Sequence, residues 1–168
     1  KGTASRTAAH IALEVEDKGG YINAHTSREE TAYYLRLLAE DLNFGVELLA
    51  DIITSSTFPK DEIEREKGVI IQEIGQAADT PDDIVFDMFQ AQSHPGNAMG
   101  RPILGTVDTV SGFARDDLTG FMARHYGPKS LVVSAAGKVD HDALVAMVAE
   151  KLGHLIDHRV DEARLKPC

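Results

Sequence analysis

The chain is 168 residues long, 43% hydrophobic and 26% charged, the proportions of a soluble globular protein with enough apolar material for one domain core. A net charge of −10, from 27 acidic against 17 basic residues, excludes a nucleic-acid surface and charge-driven binding to anionic membrane. No apolar run approaches the roughly 18 residues of a membrane span, so no membrane span is expected. The single cysteine, Cys168, is terminal and indicates no oxidising compartment. With no signal-peptide pattern a cytoplasmic location is expected, and Lys1 in place of an initiator Met reads as a piece of something longer.

Residues 5–18 carry two periodicities. Ile11, Leu13 and Val15 alternate as in a strand, while Ala8, Ile11, Ala12 and Val15 fit one helical face. Ser5 as a cap and Gly19-Gly20 as a stop favour the helix. Residues 21–27 and 31–38, rich in Thr, Tyr and Ile, read as two strands of a hairpin joined by Arg28-Glu29-Glu30. Residues 41–55 form a helix with Leu42, Val46, Leu49 and Ile53 at helical spacing.

The next helix, residues 59–78, organises the chain. Pro59 suits its first position, and Asp61 and Glu62 suit the positive end of its dipole. Ile63, Ile70, Ile74 and Ala77 gather on one side. Glu66 and Glu73 lie almost two full turns apart, project in nearly the same direction and stack about 10 Å apart along the axis. That direction falls between Ile70 and Val69, inside the apolar sector, while Arg65, Lys67 and Gln72 take other faces. A carboxylate on an apolar face needs a cation, a metal or strong donors. Two readings stand: a paired-carboxylate or metal site, or acids at the rim of an amphipathic helix that reach water. Gly68 costs about 1 kcal/mol in helix propensity, which points to something packed closely against the backbone there.

After a turn at Thr80-Pro81-Asp82-Asp83, a helix over 84–93 is expected with Val85, Met88 and Phe89 inward. His94-Pro95-Gly96-Asn97 opens a long loop through Gly105 of the kind that carries function. A short helical turn at 108–112, a helix at 115–125, a buried strand at 130–136 and a last helix capped by Asp140 complete the pattern; residues 154–168 read as a poorly ordered tail. Three strands and five or six helices without strict βαβ alternation give an α+β fold. Of the seven histidines, His154 and His158 have helical i, i+4 spacing but lie in the tail, and His125 closes a helix whose dipole it helps. Asn23-Ala24-His25-Thr26 reads either as an exposed edge able to pair with a peptide or as an ordinary edge strand blunted by polar side chains.

The opening Lys1-Gly2-Thr3, then IALEVEDKGGYINAHTSREETAYYLRLL, FPKDEIEREKGVIIQEIGQAADTPDDIVFD and GRPILGT, in that order, closely resemble the inverzincin zinc metallopeptidases of the pitrilysin and insulinase type. The nearest pattern is that of bacterial homologues of the mitochondrial processing peptidase β subunit. The likeness covers residues 1–152, so residues 1–153 are expected to be a partial N-terminal catalytic-type domain. In that family a His-x-x-Glu-His helix supplies two zinc-binding imidazoles and a general base. The resemblance implies that Glu73 is the third zinc ligand and that Glu66 orients a ligand histidine. It also implies that Asn23 and Ala24, within Gly19–Thr26, take substrate backbone as an added strand. The family's His-x-x-Glu-His ends a few residues before the Lys-Gly-Thr that is Lys1-Gly2-Thr3 here, so two ligands and the base are absent from the 168 residues. The expectation is therefore a zinc endopeptidase for unfolded or presequence-like peptides in the intact protein, working with a related C-terminal domain or subunit, and an inactive, zinc-poor fragment in isolation. The rival is a non-catalytic homologue serving as scaffold or partner in a processing peptidase or respiratory complex.

Overall fold

The opening stretch resolves as a helix. In the computed structural model, which describes residues 2–157, α1 spans Ala8–Asp17 and is capped by Thr7, whose hydroxyl accepts from the His10 amide. Ser5, the expected cap, is drawn instead to Asp51. Gly19, with φ of +62°, turns the chain out of the helix as glycine readily can.

The hairpin follows as β1 (Tyr21–Thr26) and β2 (Thr31–Arg36), a two-stranded antiparallel sheet. The Ser27 amide donates to the Glu30 carbonyl at 2.8 Å, and the Ser27 hydroxyl accepts from the Glu30 amide, closing the turn. This register sets Asn23 opposite Tyr34. The Tyr34 ring accordingly lies 6.3 Å from Tyr21 and 6.0 Å from His25, its two diagonal neighbours on one face.

Packing divides the chain into two compact units. The first holds the described residues up to His25, Thr31–Phe58 and those from Thr119 onward; the second holds Thr26–Glu30 and Pro59–Leu118. In the first, α2 (Leu42–Ser55) packs on β2 and on α7 (His141–Leu152). Val15, Leu48 and Ala50 form its buried apolar centre. The face of α2 that closes is the one through Gly45 and Leu48, while Leu42, Val46, Leu49 and Ile53 are half-buried beside it. Gly20 and Gly45 both let Leu37 come close, since a methyl at either position would strike that side chain. Asp140 caps α7 as expected, its carboxylate accepting from Ala143 at 2.8 Å.

In the second unit α3 (Lys60–Asp79) packs against α4 (Pro81–Ser93) and α5 (Val107–Gly112). Ile63 of α3 and Val110 of α5 are its buried apolar residues. Thr106 and Thr109 form a capping box that starts α5. The loop between α4 and α5 contains a 3-10 turn, Ala98–Gly100, started by the Asn97 side chain. Finally α6 (Arg115–His125) carries the chain back into the first unit. The described residues thus hold seven α-helices and one two-stranded sheet, an α+β fold as expected from the pattern.

Four local expectations fail for identifiable reasons. Residues 130–136 form no strand, and Val132 is 91% exposed; a strand needs a ladder partner, and none of the described residues runs beside it. Val85, Met88 and Phe89 of α4 face outward. Ile84, Asp87 and Gln90 are the half-buried ones, and Asp87 is held by an ion pair with Arg28 at 3.0 Å. Gly68 has open space where a side chain would be, so no close packing explains it. Lys67 joins the packed side of α3, its Nζ donating to the Ser111 carbonyl at the end of α5. Of the tail expected at 154–168, residues 158–168, including His158, lie outside the described residues.

Candidate functional site

On α3 the apolar spacing that packs Ile63 also turns Glu66 inward. Glu66 is half-buried and its Oε2 is shielded from solvent. Glu73 projects from the same side of the helix two turns later but is exposed, although Ile70, Ile74 and Ala77 beside it are half-buried. The two acids expected to share one environment therefore occupy different ones. Around them, Lys67 pairs with Glu64 at 2.9 Å and Arg65 pairs with Glu62, short-range contacts that neutralise neighbouring acids of the helix.

Among the described residues no three His, Cys, Asp or Glu side chains gather closely enough to hold a metal ion. A tetrahedral zinc site takes four ligands, three of them from protein even where the fourth is water. One exposed carboxylate is a single ligand, so the described residues by themselves do not fit zinc.

The hairpin offers a different chemistry. Asn23 and Ala24 are both exposed, and among the described residues β1 is paired along one edge only, with β2. Because Ser27 and Glu30 exchange a ladder bond, alternation turns the backbone of Asn23 toward β2 and that of Ala24 toward the open edge. An extended peptide adding to that edge would bond to Ala24. That amide is occupied: it donates to the Asn23 side-chain oxygen at 2.8 Å, and the Asn23 side-chain nitrogen donates to the Tyr21 hydroxyl at 2.6 Å. Asn23 thus works as a latch over the donor that strand addition requires.

Two arginines escape a reading of local pattern. Arg28 looks like a turn residue, yet it donates to the Asp87 carboxylate and the Met99 carbonyl, both at 3.0 Å, and fastens the hairpin turn into the second unit. Arg6 binds Glu14, Glu47 and Asp51. Neither has a signal in its own neighbourhood, since most of the partners lie dozens of residues away.

A cleft of about 420 Å³ in the first unit is lined by Ile53, Phe58, Met122, Tyr126, His154 and Leu155 among others; none of Glu66, Glu73, Asn23 or Ala24 reaches it. The Tyr126 hydroxyl bonds that of Tyr33 at 2.9 Å, and burial together with this bond pushes the Tyr33 phenol well above its ordinary range. No helix among the described residues is long and apolar enough to cross a membrane.

Comparison with known proteins gives this geometry a context. Residues 1–107 match the family profile described as insulinase, peptidase family M16, and residues 112–167 match that of the peptidase M16 inactive domain. An "Uncharacterized zinc protease" of Rickettsia felis is 42% identical over 152 residues, covering 90% of this chain and 37% of that protein. The mitochondrial-processing peptidase subunit beta of Homo sapiens is 39% identical over 169 residues, covering all of this chain and 35% of that one. The likeness therefore continues past residue 152, the expected limit of the resemblance. A protease from Helicobacter pylori has the same fold, with a TM-score of 0.89 at 22% identity over 100% of this chain and 40% of its own. The chain spans little more than a third of the curated relatives it matches. On the match over residues 1–107, with relatives near 40% identity beside it, the chain belongs to the insulinase family of peptidases, M16.

Proposed function

We propose that this chain is part of a zinc-dependent endopeptidase that cleaves unfolded or presequence-like peptides, and that residues 1–153 belong to its catalytic-type domain. The observation that carries the reading is the unpaired edge of β1, whose outward backbone at Ala24 is covered by the Asn23 side chain and becomes available once that side chain turns away, in a chain whose relatives are named zinc protease and processing peptidase. Extended peptides bind such edges through main-chain hydrogen bonds, which suits substrates that are unfolded. In this reading Asn23 and Ala24 hold the substrate backbone, Glu73 contributes one zinc ligand, and Glu66 orients a ligand histidine supplied from outside these 168 residues. The exposed position of Glu73 leaves it free to serve in that way. The lone carboxylate leaves the isolated chain without peptidase activity and with weak zinc affinity. A related domain or subunit closes the site, and a cytoplasmic location goes with the same proposal.

The test is zinc content of the longer protein, purified without chelator, beside its Glu73→Gln variant. About one zinc per chain, lost in the variant, supports the reading; a metal-free parent sinks it. Chelator-sensitive peptide cleavage by the pure 168-residue chain contradicts the inactive-fragment part on its own.

The second reading is a non-catalytic homologue that serves as scaffold or partner subunit; the match of residues 112–167 to a profile described as an inactive domain bears on that segment alone and not on residues 1–107. The two readings part on the same zinc measurement.

A further inference from the structure

Every residue from Gly2 to Thr7 is committed to a contact. The Thr3 amide donates to the Arg6 carbonyl at 2.8 Å, the Ala4 amide to Ser55 at 3.0 Å, and the Thr57 amide to Gly2 at 3.2 Å. Isolated bridges join Gly2 to Thr7 and Thr3 to Ser56. The side chains converge more tightly still. One carboxylate oxygen, Asp51 Oδ2, accepts from Thr3 Oγ1 at 2.7 Å and from both Ser5 Oγ and Arg6 Nη1 at 2.9 Å. Thr3 Oγ1 in turn accepts from the Arg6 amide at 3.0 Å. Thr3 is the buried polar residue of the chain's described part.

Arg6 uses its whole fork. Nε pairs with Glu14 of α1 at 2.9 Å, Nη2 with Glu47 at 2.7 Å, and Nη1 with Asp51 at 2.9 Å, the last two on α2. Glu14 and Glu47 are open enough to water for those bonds to be screened. Asp51, 13% exposed against 16% for Arg6, is the partner whose loss the segment would feel most. Stabilising a helix end would take one or two such bonds, whereas three donors from one short segment on one oxygen set the path of that segment in three dimensions.

We propose that Asp51 is a positioning residue: by gathering Thr3, Ser5 and Arg6 it fixes the direction of the chain at Gly2 and so the placement of whatever chain precedes it. The catalytic consequence rests on the peptidase reading above, in which the segment before Lys1 carries the resembled His-x-x-Glu-His. Every contact of Asp51 in the node is with Thr3, Ser5 or Arg6, so in this proposal it acts on the reaction through that segment.

The experiment has two arms. In the 168-residue chain, amide exchange is followed for Thr3, Ala4, Arg6 and Thr57 in Asp51→Asn and Asp51→Glu. A bond to a charged group is lost in the first, so exchange at these four amides accelerates about tenfold or more while Leu48 and Ile63 keep their rates. Asp51→Glu, which restores the charge, recovers part of the protection. Unchanged exchange at the four amides overturns the proposal, and so does acceleration at Leu48 and Ile63 in step, which marks general loosening. Should Asp51→Asn fail to fold, the milder Ser5→Ala removes one donor and is expected to speed the Arg6 amide about threefold. In the longer protein, Asp51→Asn lowers kcat about tenfold with KM within about twofold, and Asp51→Glu recovers it. Normal kcat with a loosened segment overturns the positioning role. A wild-type longer protein that cleaves no peptide removes the peptidase reading instead, and the exchange arm alone then decides the anchor.

Discussion

Replacing Glu73 by Gln removes one charge from an exposed turn of α3, and an exposed side chain with no role in packing is nearly neutral to stability. The expected change is within about 0.5 kcal/mol in a urea melt of the 168-residue chain. A loss well beyond that would make Glu73 a structural residue and leave no reason for it to be held ready for a metal. Asn23→Ala has the opposite character. It frees the Ala24 amide from its 2.8 Å bond, so that amide exchanges a few-fold faster and an extended peptide meets an unlatched edge. Unchanged exchange at Ala24 would mean that the latch does not hold in solution. Asp51 carries a pH signature. Burial pushes its carboxyl up, but hydrogen bonds from Thr3, Arg6 and Ser5 outweigh this and hold it below the ordinary range. The unfolded chain therefore takes up the proton first. Asp51 contributes its full stability above the unfolded value near pH ~3.9 and loses it as pH falls through the lower folded value. Urea midpoints of Asp51→Asn should consequently decline less steeply than those of the native chain as acid is added below about pH 4.

Two glycines separate the elements that tolerate change from those that do not. A methyl at Gly20 would strike Leu37 and lie 3.1 Å from both the Arg36 carbonyl oxygen and Val15 Cγ1. Since the backbone oxygen cannot swing aside, Gly20→Ala should cost about 1–3 kcal/mol. Gly68, mid-helix and open, should gain about 0.5–1 kcal/mol as Ala, and thermal melts of the two variants should move in opposite directions. The helices were legible because their information is local: Gly19-Gly20, Pro81 and Asp140 punctuate the chain where the structure begins or ends an element. The hairpin was legible for the same reason. What sequence could not supply was anything decided at a distance. Residues 130–136 have strand composition, but composition supplies no ladder partner. The inward face of α4 follows Asp87, whose partner Arg28 sits on the hairpin turn, and Thr7 displaces Ser5 as cap because Asp51 draws Ser5 away. The candidate site divides in the same way. That Glu66 and Glu73 share a side of α3 is plain from their spacing, whereas the cover over one and not the other depends on neighbouring helices.

At the scale of the molecule, charge is the property that reaches beyond single contacts. With a net charge of −10 the surface favours cationic partners, and such attraction between exposed charges is screened over roughly 8–10 Å at physiological salt. On the proposed peptidase reading, raising salt should therefore weaken binding of a Lys- and Arg-rich peptide to the longer protein several-fold while leaving a neutral peptide of equal length unaffected. Equal salt dependence for both would remove charge from the account of substrate choice. The division into two units also bears on the order in which the chain acquires its structure. Among the described residues, all but the hairpin turn of the second unit is one unbroken stretch, Pro59–Leu118, whereas the first must join Thr31–Phe58 to the described residues from Thr119 onward across that whole stretch. Closing so long a loop of unstructured chain is entropically expensive, and the cost falls once α3, α4 and α5 have condensed and shortened the effective span. The stretch from Pro59 to Leu118 is thus the natural nucleus, and in pulse-labelled refolding its amides should gain protection before those of α2 and α7.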